Sequence, residues 1–213
     1  MSVSTEQFIL LLIASFFVGS IPFGYLIARA KGVDILKAGS GNIGATNVNR
    51  VLGKQLGAIV FLLDILKAAI PVTIAKKLFH NDQFLGSLCG ISAVLGHCFS
   101  PFLKFKGGKG VSTIFGTILA VSPFVALSAF GVGLISLAIT RWVSLSSLVG
   151  VFSAIVFAYF FHDQFAIIPL YVIAFLLTVY RHRANLRRIH EGTEPKFSFQ
   201  NSDKYKVSEQ KNA

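Results

Sequence analysis

The sequence predicts an all-α membrane protein, a polytopic bundle of seven transmembrane helices. Of its 213 residues, 54% are hydrophobic and only 14% are charged, whereas a soluble domain carries about 25% charged residues. Long apolar runs recur along the chain as far as about Tyr180, and such runs are typical of membrane-spanning helices. The basic residues between these runs are unevenly distributed, which indicates a fixed orientation in the membrane.

Seven apolar segments are the predicted transmembrane helices. They cover residues 8–28, 56–78, 84–102, 111–121, 123–140, 143–161 and 165–179. The first segment is too long for the apolar part of a signal peptide and has no small-residue cleavage site, so we expect it to be retained. The fourth segment is short, and only Ser122 and Pro123 separate it from the fifth. Merging these two segments would give six crossings instead of seven.

The positions of the basic residues favour seven crossings. Nearly all of the 20 Lys and Arg residues follow an odd-numbered segment, and positive residues accumulate on the cytoplasmic side. This bias places the N-terminus outside and the C-terminus in the cytoplasm, whereas six crossings would put the basic C-terminal region outside. We therefore expect an integral membrane domain over residues 1–194. Residues 195–213 are polar and aperiodic, which predicts a flexible cytoplasmic tail.

The net charge of +11 follows from the same bias, so it does not indicate a nucleic-acid partner. A second contribution is the attraction of anionic substrates. No internal repeat is visible in the sequence, and the inverted repeats of many transporters are therefore not supported. A transporter for a phosphorylated metabolite stays the alternative function.

Three polar clusters lie at the predicted cytoplasmic ends of the spans. They are GSGNIGATNVNR at 39–50, GHCFSPFLKFKGGKGVST at 96–113 and RHRANLRRIHEGTE at 181–194. Each combines cations, hydrogen-bonding side chains and glycines. Glycine-rich turns can direct successive backbone N–H groups toward one point and so bind an anion. The clusters therefore indicate chemistry on a phosphorylated group at a membrane surface.

The first cluster offers small hydrogen-bonding side chains beside an arginine. Ser40, Asn42, Thr46 and Asn47 are polar, and Arg50 can hold a phosphate through two parallel hydrogen bonds. The alternative is a plain connecting loop, in which Gly, Ser and Asn are common for reasons of turn geometry. A loop beside lipid, however, has to bury its polar groups against a partner.

The second cluster places cations and glycines before a helix that begins near Val111. Its members are two lysines and three glycines, Lys106, Lys109, Gly107, Gly108 and Gly110. The free N–H groups and the positive dipole end of such a helix suit a phosphate. The spacing is not that of a nucleotide-binding P-loop. The alternative is an ordinary cytoplasmic loop that is basic because of its location.

The third cluster is predicted to form the cytoplasmic end of the last helix. His182 and Asn185 are three residues apart and share one face. The helix dipole alone would favour arginines here, but it does not account for Asn185 or for a turn at Gly192 before Glu194.

Ionisable residues also occur inside two apolar segments. Asp64 and Lys67 lie three residues apart in the second segment, and because such residues are costly in a membrane we expect them to form a pair. His97, near the end of the third segment, is either a base or a donor to a neighbouring carbonyl group.

The three clusters resemble the motifs of the bacterial membrane glycerol-3-phosphate acyltransferases that use acyl phosphate as donor. Length and the order of apolar segments also match, so the resemblance covers nearly the whole chain. The family often has Ala at the position of Ser112. The resemblance implies seven helices and transfer of a fatty acyl group from acyl phosphate to the 1-hydroxyl of glycerol 3-phosphate. The products would be lysophosphatidic acid and inorganic phosphate, in the first step of phospholipid synthesis.

The resemblance also implies roles for individual residues. It gives catalytic roles to Ser40, Arg50, Lys109, His182 and Asn185. With the polar clusters, it predicts a wider substrate-binding set of Gly41, Asn42, Gly44, Thr46, Asn47, His97, Lys106, Gly107, Gly108, Gly110, Arg181, Gly192 and Glu194. The general base is either His182 or the phosphate of the substrate.

The expected setting is the bacterial inner membrane, with several crossings and the active site on its cytoplasmic face. We expect a monomer in contact with membrane lipid, with acyl phosphate and glycerol 3-phosphate as substrates, and with no metal, cofactor or nucleic acid. A phosphatidyl-alcohol transferase is disfavoured because Asp64 stands alone in its segment, without the paired-aspartate metal motif.

Overall fold

The computed structural model describes residues 4–161 and 165–197, and every regular element in these ranges is helical. The α-helices are α1 (Thr5–Ser20), α2 (Phe23–Ala30), α3 (Ala45–Leu52), α4 (Lys54–Leu78), α5 (Gln83–Cys98), α6 (Val111–Val121), α7 (Pro123–Thr140), α8 (Val143–Phe160), α9 (Ile168–Arg181) and α10 (Arg183–His190). Short 3₁₀ turns occur at Pro101–Leu103 and Phe165–Ile167. The predicted all-α class is confirmed. From residue 198 onward, the predicted tail lies outside the described residues.

Five stretches of the described chain are long and apolar enough to cross a membrane. They are Thr5–Ala30, Lys54–Leu78, Gln83–Leu103, Pro123–Thr140 and Val143–Phe160. A sixth arises if α9 and α10, which meet at an angle of 57°, form one bent span.

The fourth predicted span is α6, and it has only 11 residues. At about 1.5 Å per residue, α6 covers about half of the ~30 Å hydrocarbon layer. The seven crossings, and the orientation of the termini that depends on their number, therefore stay predictions.

The first predicted span, 8–28, is broken in the structure rather than continuous. Ile21 has an extended backbone, with ψ of 117°, as expected for a residue before proline. Pro22 has no N–H with which to continue the hydrogen bonding of α1. The break turns the chain so that α2 leads toward the first polar cluster.

The short helix α6 lies inside the bundle. Its residues Ile114 and Ile118 are buried in a core shared with α4, α5, α8, α9 and one face of α7. Gly116 allows close approach, because its α-carbon packs directly on the backbone of Ile65 in α4. In contrast, α7 exposes large apolar side chains such as Phe124 and Ile139, as expected for a lipid-facing surface. The helix that begins at the second polar cluster is thus enclosed by the others.

Candidate active site

The three polar clusters converge on one cavity of about 710 Å³. The predicted site residues on its wall are Ser40, Asn42, Gly44, Thr46, Asn47, Arg50, His97, Lys109, Gly110, His182, Asn185 and Glu194. All five residues with predicted catalytic roles are in this set. Three segments that are far apart in the sequence thus bring their cations and hydrogen-bonding groups to a common space.

The same cavity continues between the helices as an apolar space. Its wall there comes from α4, α6, α7 and α8 and includes Phe61, Phe115, Leu134, Leu137 and Val151. A cavity that is cationic in one part and apolar in another suits an amphiphile with an anionic head and a hydrocarbon chain.

Six predicted site residues do not line the cavity: Gly41, Lys106, Gly107, Gly108, Arg181 and Gly192. Lys106 is exposed to the outside. Gly192 has φ of +71° and makes the turn that returns the chain to the cavity. Arg181 donates hydrogen bonds to the carbonyl groups of Gly107 and Gly108. These three residues therefore shape the site without lining the cavity.

Residues 39–44, the first glycine loop, are shaped by Asn47 in the first turn of α3. Its buried Nδ2 donates to the carbonyl groups of Ala38 at 3.0 Å and Asn42 at 2.8 Å. Its Oδ1 accepts the N–H of Ser40 at 2.8 Å. The amide of Asn47 therefore holds the loop in place, whether or not the residue also touches substrate.

Two residues of the first glycine loop need the conformational freedom of glycine. Gly39 and Gly41 have φ of +59° and +68°, in the left-handed region that other residues avoid. Between them and α3, Asn42 Oδ1 accepts the N–H of Gly44 at 2.8 Å. The loop is thus tightly turned and presents backbone to the cavity.

Arg50 lies in the last turn of α3 and lines the cavity. Within the described residues it makes no hydrogen bond or salt bridge. Its guanidinium group keeps all its donors for a ligand, in the planar arrangement that matches a phosphate.

Residues 107–110, the second glycine loop, end on Lys109 and Gly110 and lead into α6. Arg181 holds this loop, since its Nε donates to the Gly108 carbonyl at 2.9 Å and its Nη2 to the Gly107 carbonyl at 2.6 Å. Gly110 has φ of +85° directly before the helix start. Gly110, Val111 and Ser112 line the cavity beside Lys109, and the first N–H groups of an α-helix have no partner within the helix.

Lys109 connects the second cluster to the third. Its Nζ donates to Asn185 Oδ1 at 2.6 Å. Burial lowers the pKa of Lys109 to about 8; Glu194 opposes this, and the nearby Arg188, Arg50 and Arg181 add to it. A bound phosphate would raise the pKa again, so the charge of Lys109 is matched to an anionic ligand.

His182 lies at the bend between α9 and α10 and is buried. Its Nδ1 is 2.9 Å from the carbonyl oxygen of Thr178. Because a carbonyl can only accept, Nδ1 carries the proton, and Nε2 of the neutral ring is left as an acceptor. His182 is therefore in the tautomer that can take a proton from a hydroxyl group at Nε2.

Glu194 completes the site by joining α8 to α10. It accepts hydrogen bonds from Ser144 Oγ at 2.7 Å, Asn185 Nδ2 at 2.6 Å and Arg188 Nε at 2.8 Å. Burial raises the pKa of Glu194, but the hydrogen bonds from Asn185, Ser144 and Arg188 outweigh it and hold the pKa below its usual value. Glu194 thus fixes Asn185, which in turn holds Lys109.

Sequence analysis missed Ser144 and Arg188 as site residues, although both line the cavity. The signal for Ser144 is weak, since it is one of several serines at the start of an apolar helix. Arg188 was interpreted as one of several arginines near a helix end, and its partner Glu194 is six residues away.

The wall of the cavity also includes Asp64 and His97. Asp64 Oδ1 is 2.7 Å from Lys67 Nζ, and both side chains are almost fully buried. The predicted pairing of Asp64 with Lys67 is confirmed.

The helical bundle, with its apolar spans and a cavity that has one polar, cation-bearing part and one apolar part, defines an integral membrane protein. A protein-family model described as glycerol-3-phosphate acyltransferase matches residues 9–192. The chain belongs to this family of membrane acyltransferases, as the three motifs predict.

Individual relatives agree with this assignment. The glycerol-3-phosphate acyltransferase of Aquifex aeolicus is 44% identical over 187 residues, which cover 88% of this chain and 97% of the relative. That of Bacillus subtilis is 42% identical over 188 residues, covering 88% of this chain and 96% of the relative.

Solved structures show the same fold. The crystal structure of PlsY (YgiH), an integral membrane glycerol 3-phosphate acyltransferase, in its glycerol 3-phosphate form has a TM-score of 0.87 and 43% identity, and covers 91% of this chain and 100% of that chain. Its lysophosphatidic acid form has a TM-score of 0.85 and 43% identity, with coverage of 90% and 96%.

Proposed function

We propose that this protein moves a fatty acyl group from acyl phosphate to the 1-hydroxyl of glycerol 3-phosphate and releases lysophosphatidic acid and inorganic phosphate. One observation carries the proposal: Arg50, Lys109 and two glycine loops meet in a cavity that continues into an apolar space. The two substrates are a phosphate with a hydrocarbon chain and a second phosphate. Two anionic groups and one chain match the walls of this cavity.

An acyl phosphate donor fits the groups that the cavity contains. Phosphate is a good leaving group, so the enzyme has to position the substrates and stabilise developing charge. The hydroxyl oxygen attacks the acyl carbonyl carbon, and the bond from that carbon to the phosphate oxygen breaks. The hydroxyl proton goes either to His182 or to the departing phosphate. No covalent acyl-enzyme is required.

We assign the glycerol phosphate to Arg50, Lys109 and His182. Arg50 has no partner among the described residues, and Lys109 is held beside it by Asn185. Ser40 and the two glycine loops bind the phosphate of the donor. The acyl chain lies between the helices, along Phe115 and its apolar neighbours. The two solved structures of one relative, PlsY (YgiH), are its glycerol 3-phosphate form and its lysophosphatidic acid form, which supports these ligands for the present chain.

The excess of Lys and Arg at the ends that carry the three clusters supports a site on the cytoplasmic face of the inner membrane. Glycerol 3-phosphate is a soluble anion, and it would enter from that side. The acyl phosphate would enter from the membrane.

The decisive experiment uses purified protein in detergent, an acyl phosphate and labelled glycerol 3-phosphate. We expect lysophosphatidic acid and inorganic phosphate in equal amounts, without nucleotide or metal. Parallel reactions contain acyl-CoA in place of acyl phosphate. Equal rates with acyl-CoA would overturn the donor assignment. Uptake of label into sealed vesicles without any acylated product would instead favour a transporter.

The role of His182 is tested by a pH–rate profile. If Nε2 takes the proton, His182→Gln lowers kcat by roughly 10²- to 10⁴-fold and removes the acidic limb of the profile. A variant with a nearly normal rate and an unchanged profile would leave the substrate phosphate as the base.

A further inference from the structure

Asp64 and Lys67 form an ion pair inside the bundle that the proposed reaction does not use. The relative exposure of the two residues is 2% and 3%, and Asp64 lies on the cavity wall. Burying two charges in a membrane protein is costly, and a buried pair is weak support for stability. The contacts on either side of the pair indicate a different role.

The Lys67 side of the pair leads to the first glycine loop. Lys67 Nζ donates to the Ile21 carbonyl at 2.9 Å, at the break that Pro22 makes between α1 and α2. From this break α2 carries Gly24 into direct contact with the Ile43 carbonyl, leaving no room for a β-carbon. Ile43 belongs to the first glycine loop, so Lys67 holds the segment on which this loop rests.

The Asp64 side leads to the second glycine loop. Asp64 Oδ1 is 3.7 Å from Nδ1 of the buried His97. Gly108 packs on the His97 ring without space for a β-carbon, and its N–H donates to the His97 carbonyl at 3.0 Å. The next residue is Lys109. The second loop thus packs on the imidazole ring of His97, and Asp64 lies next to that ring.

We propose that Asp64 and Lys67 are positioning residues that set the separation between the two glycine loops. The pair joins the support of one loop to the support of the other, so that two phosphorylated substrates are held in line for acyl transfer. His97, for which sequence analysis predicts substrate binding, acts through the backbone of Gly108. This inference rests on the proposed function, in which the glycines of both loops hold the donor phosphate and Lys109 of the second loop holds the glycerol phosphate.

The test compares single and paired replacements. Asp64→Asn and Lys67→Met each leave a buried charge without its partner, which strongly destabilises a protein. The paired variant Asp64→Asn/Lys67→Met removes both charges, and we expect its Tm within about 3 °C of wild type. Its kcat/KM for acylation nevertheless falls by roughly 10- to 100-fold, because the two glycine loops are no longer held at the correct separation. Full recovery of both Tm and kcat/KM in the paired variant would overturn the proposal.

Lys76 provides a matched control on the same helix. Its Nζ also donates across the bundle to a backbone carbonyl, that of Ala120 at 2.9 Å, but Lys76 does not line the cavity. We expect Lys76→Met to lower Tm and to leave KM and kcat unchanged. A similar kinetic loss in Lys76→Met would show that any lost cross-bundle contact has this effect, and would overturn the proposal.

A second variant covers the case in which the paired variant does not fold. Asp64→Glu keeps the charge but displaces the carboxylate from His97; we expect a normal Tm with KM raised several-fold, and normal kinetics would contradict the proposal. If wild type makes no lysophosphatidic acid, the proposed function fails. In that case the positioning role is tested by the rise in Tm that glycerol 3-phosphate produces in each variant. A rise that is lost in Asp64→Glu but kept in Lys76→Met supports the positioning role. Equal rises in the two variants overturn it.

Discussion

The two glycine loops both contribute residues to one cavity, but they are held in different ways. The first loop is shaped from within, by Asn47 a few residues further along the chain. The second loop is held from outside, by Arg181 and by the His97 ring. The first arrangement is encoded locally, whereas the second exists only after α5 and α9 have packed. The loops should therefore fail in different ways when their supports are removed.

The largest effect is expected for Asn47→Ala, which removes the internal support of the first loop. The change leaves the Ser40 N–H and the Asn42 carbonyl without their partner, and removes one of the two hydrogen bonds to the Ala38 carbonyl, which still accepts the N–H of Gly41. At about 1 kcal/mol for each hydrogen bond, the loss of stability is about 3 kcal/mol, and we expect both Tm and acylation to fall sharply. Asn47→Asp can still accept the Ser40 N–H, which is one of the three hydrogen bonds. We therefore expect its Tm and acylation rate to lie only slightly above those of Asn47→Ala. A normal Tm in Asn47→Ala would contradict local encoding of the loop.

A smaller effect is expected for Arg181→Lys, which weakens the external support of the second loop. A lysine cannot reproduce the two parallel hydrogen bonds to Gly107 and Gly108. Because the bundle stays intact, we expect kcat/KM to fall by about tenfold with little change in Tm. Equal losses of Tm in Arg181→Lys and Asn47→Ala would remove the distinction between the loops.

The pH dependence of substrate binding sharpens the comparison further. The pKa of Lys109 is lowered to about 8, from an ordinary value of 10.5. Lys109 is thus charged below pH 8 and loses its charge above it, so KM for glycerol 3-phosphate should rise above pH 8 by up to about tenfold per unit. Lys109→Arg stays charged, and its KM should be flat in this range.

The smallest effect is expected for Lys106→Ala. Lys106 is predicted from sequence to bind substrate, but its side chain is exposed and outside the cavity wall. We expect KM and kcat within about twofold of wild type at physiological salt, since exposed charges are screened. A large increase in KM would show that the second loop rearranges to bring Lys106 to the substrate.

Sequence alone predicts the parts of the site whose residue types are chemically distinctive. The convergence of Arg50, Lys109, His182 and Asn185 is expected from their motifs, and the pairing of Asp64 with Lys67 follows from their spacing. The helical boundaries of 111–121 and 123–140 are also as predicted, because Pro123 starts a new helix.

Other features depend on tertiary contacts that no local pattern encodes. Ser144 becomes part of the site only because Glu194, fifty residues away in sequence, returns to it. The sequence predicts that Arg181 binds substrate, whereas in the structure its guanidinium group donates to a carbonyl group of the second loop. The break at Pro22 was not predicted within the span 8–28, and its contact with Lys67 has no local signal, since it joins residues 46 positions apart.

The return of the chain after Gly192 has a consequence for how the site assembles. Without Glu194, Asn185 and Arg188 lack the carboxylate that orders them, and Lys109 lies near three arginines without this opposing charge. A chain in which Glu194 has not yet packed against Ser144 therefore carries excess positive charge at the site. Because Glu194 neutralises part of that charge, folding of the third cluster and electrostatic completion of the site are one event.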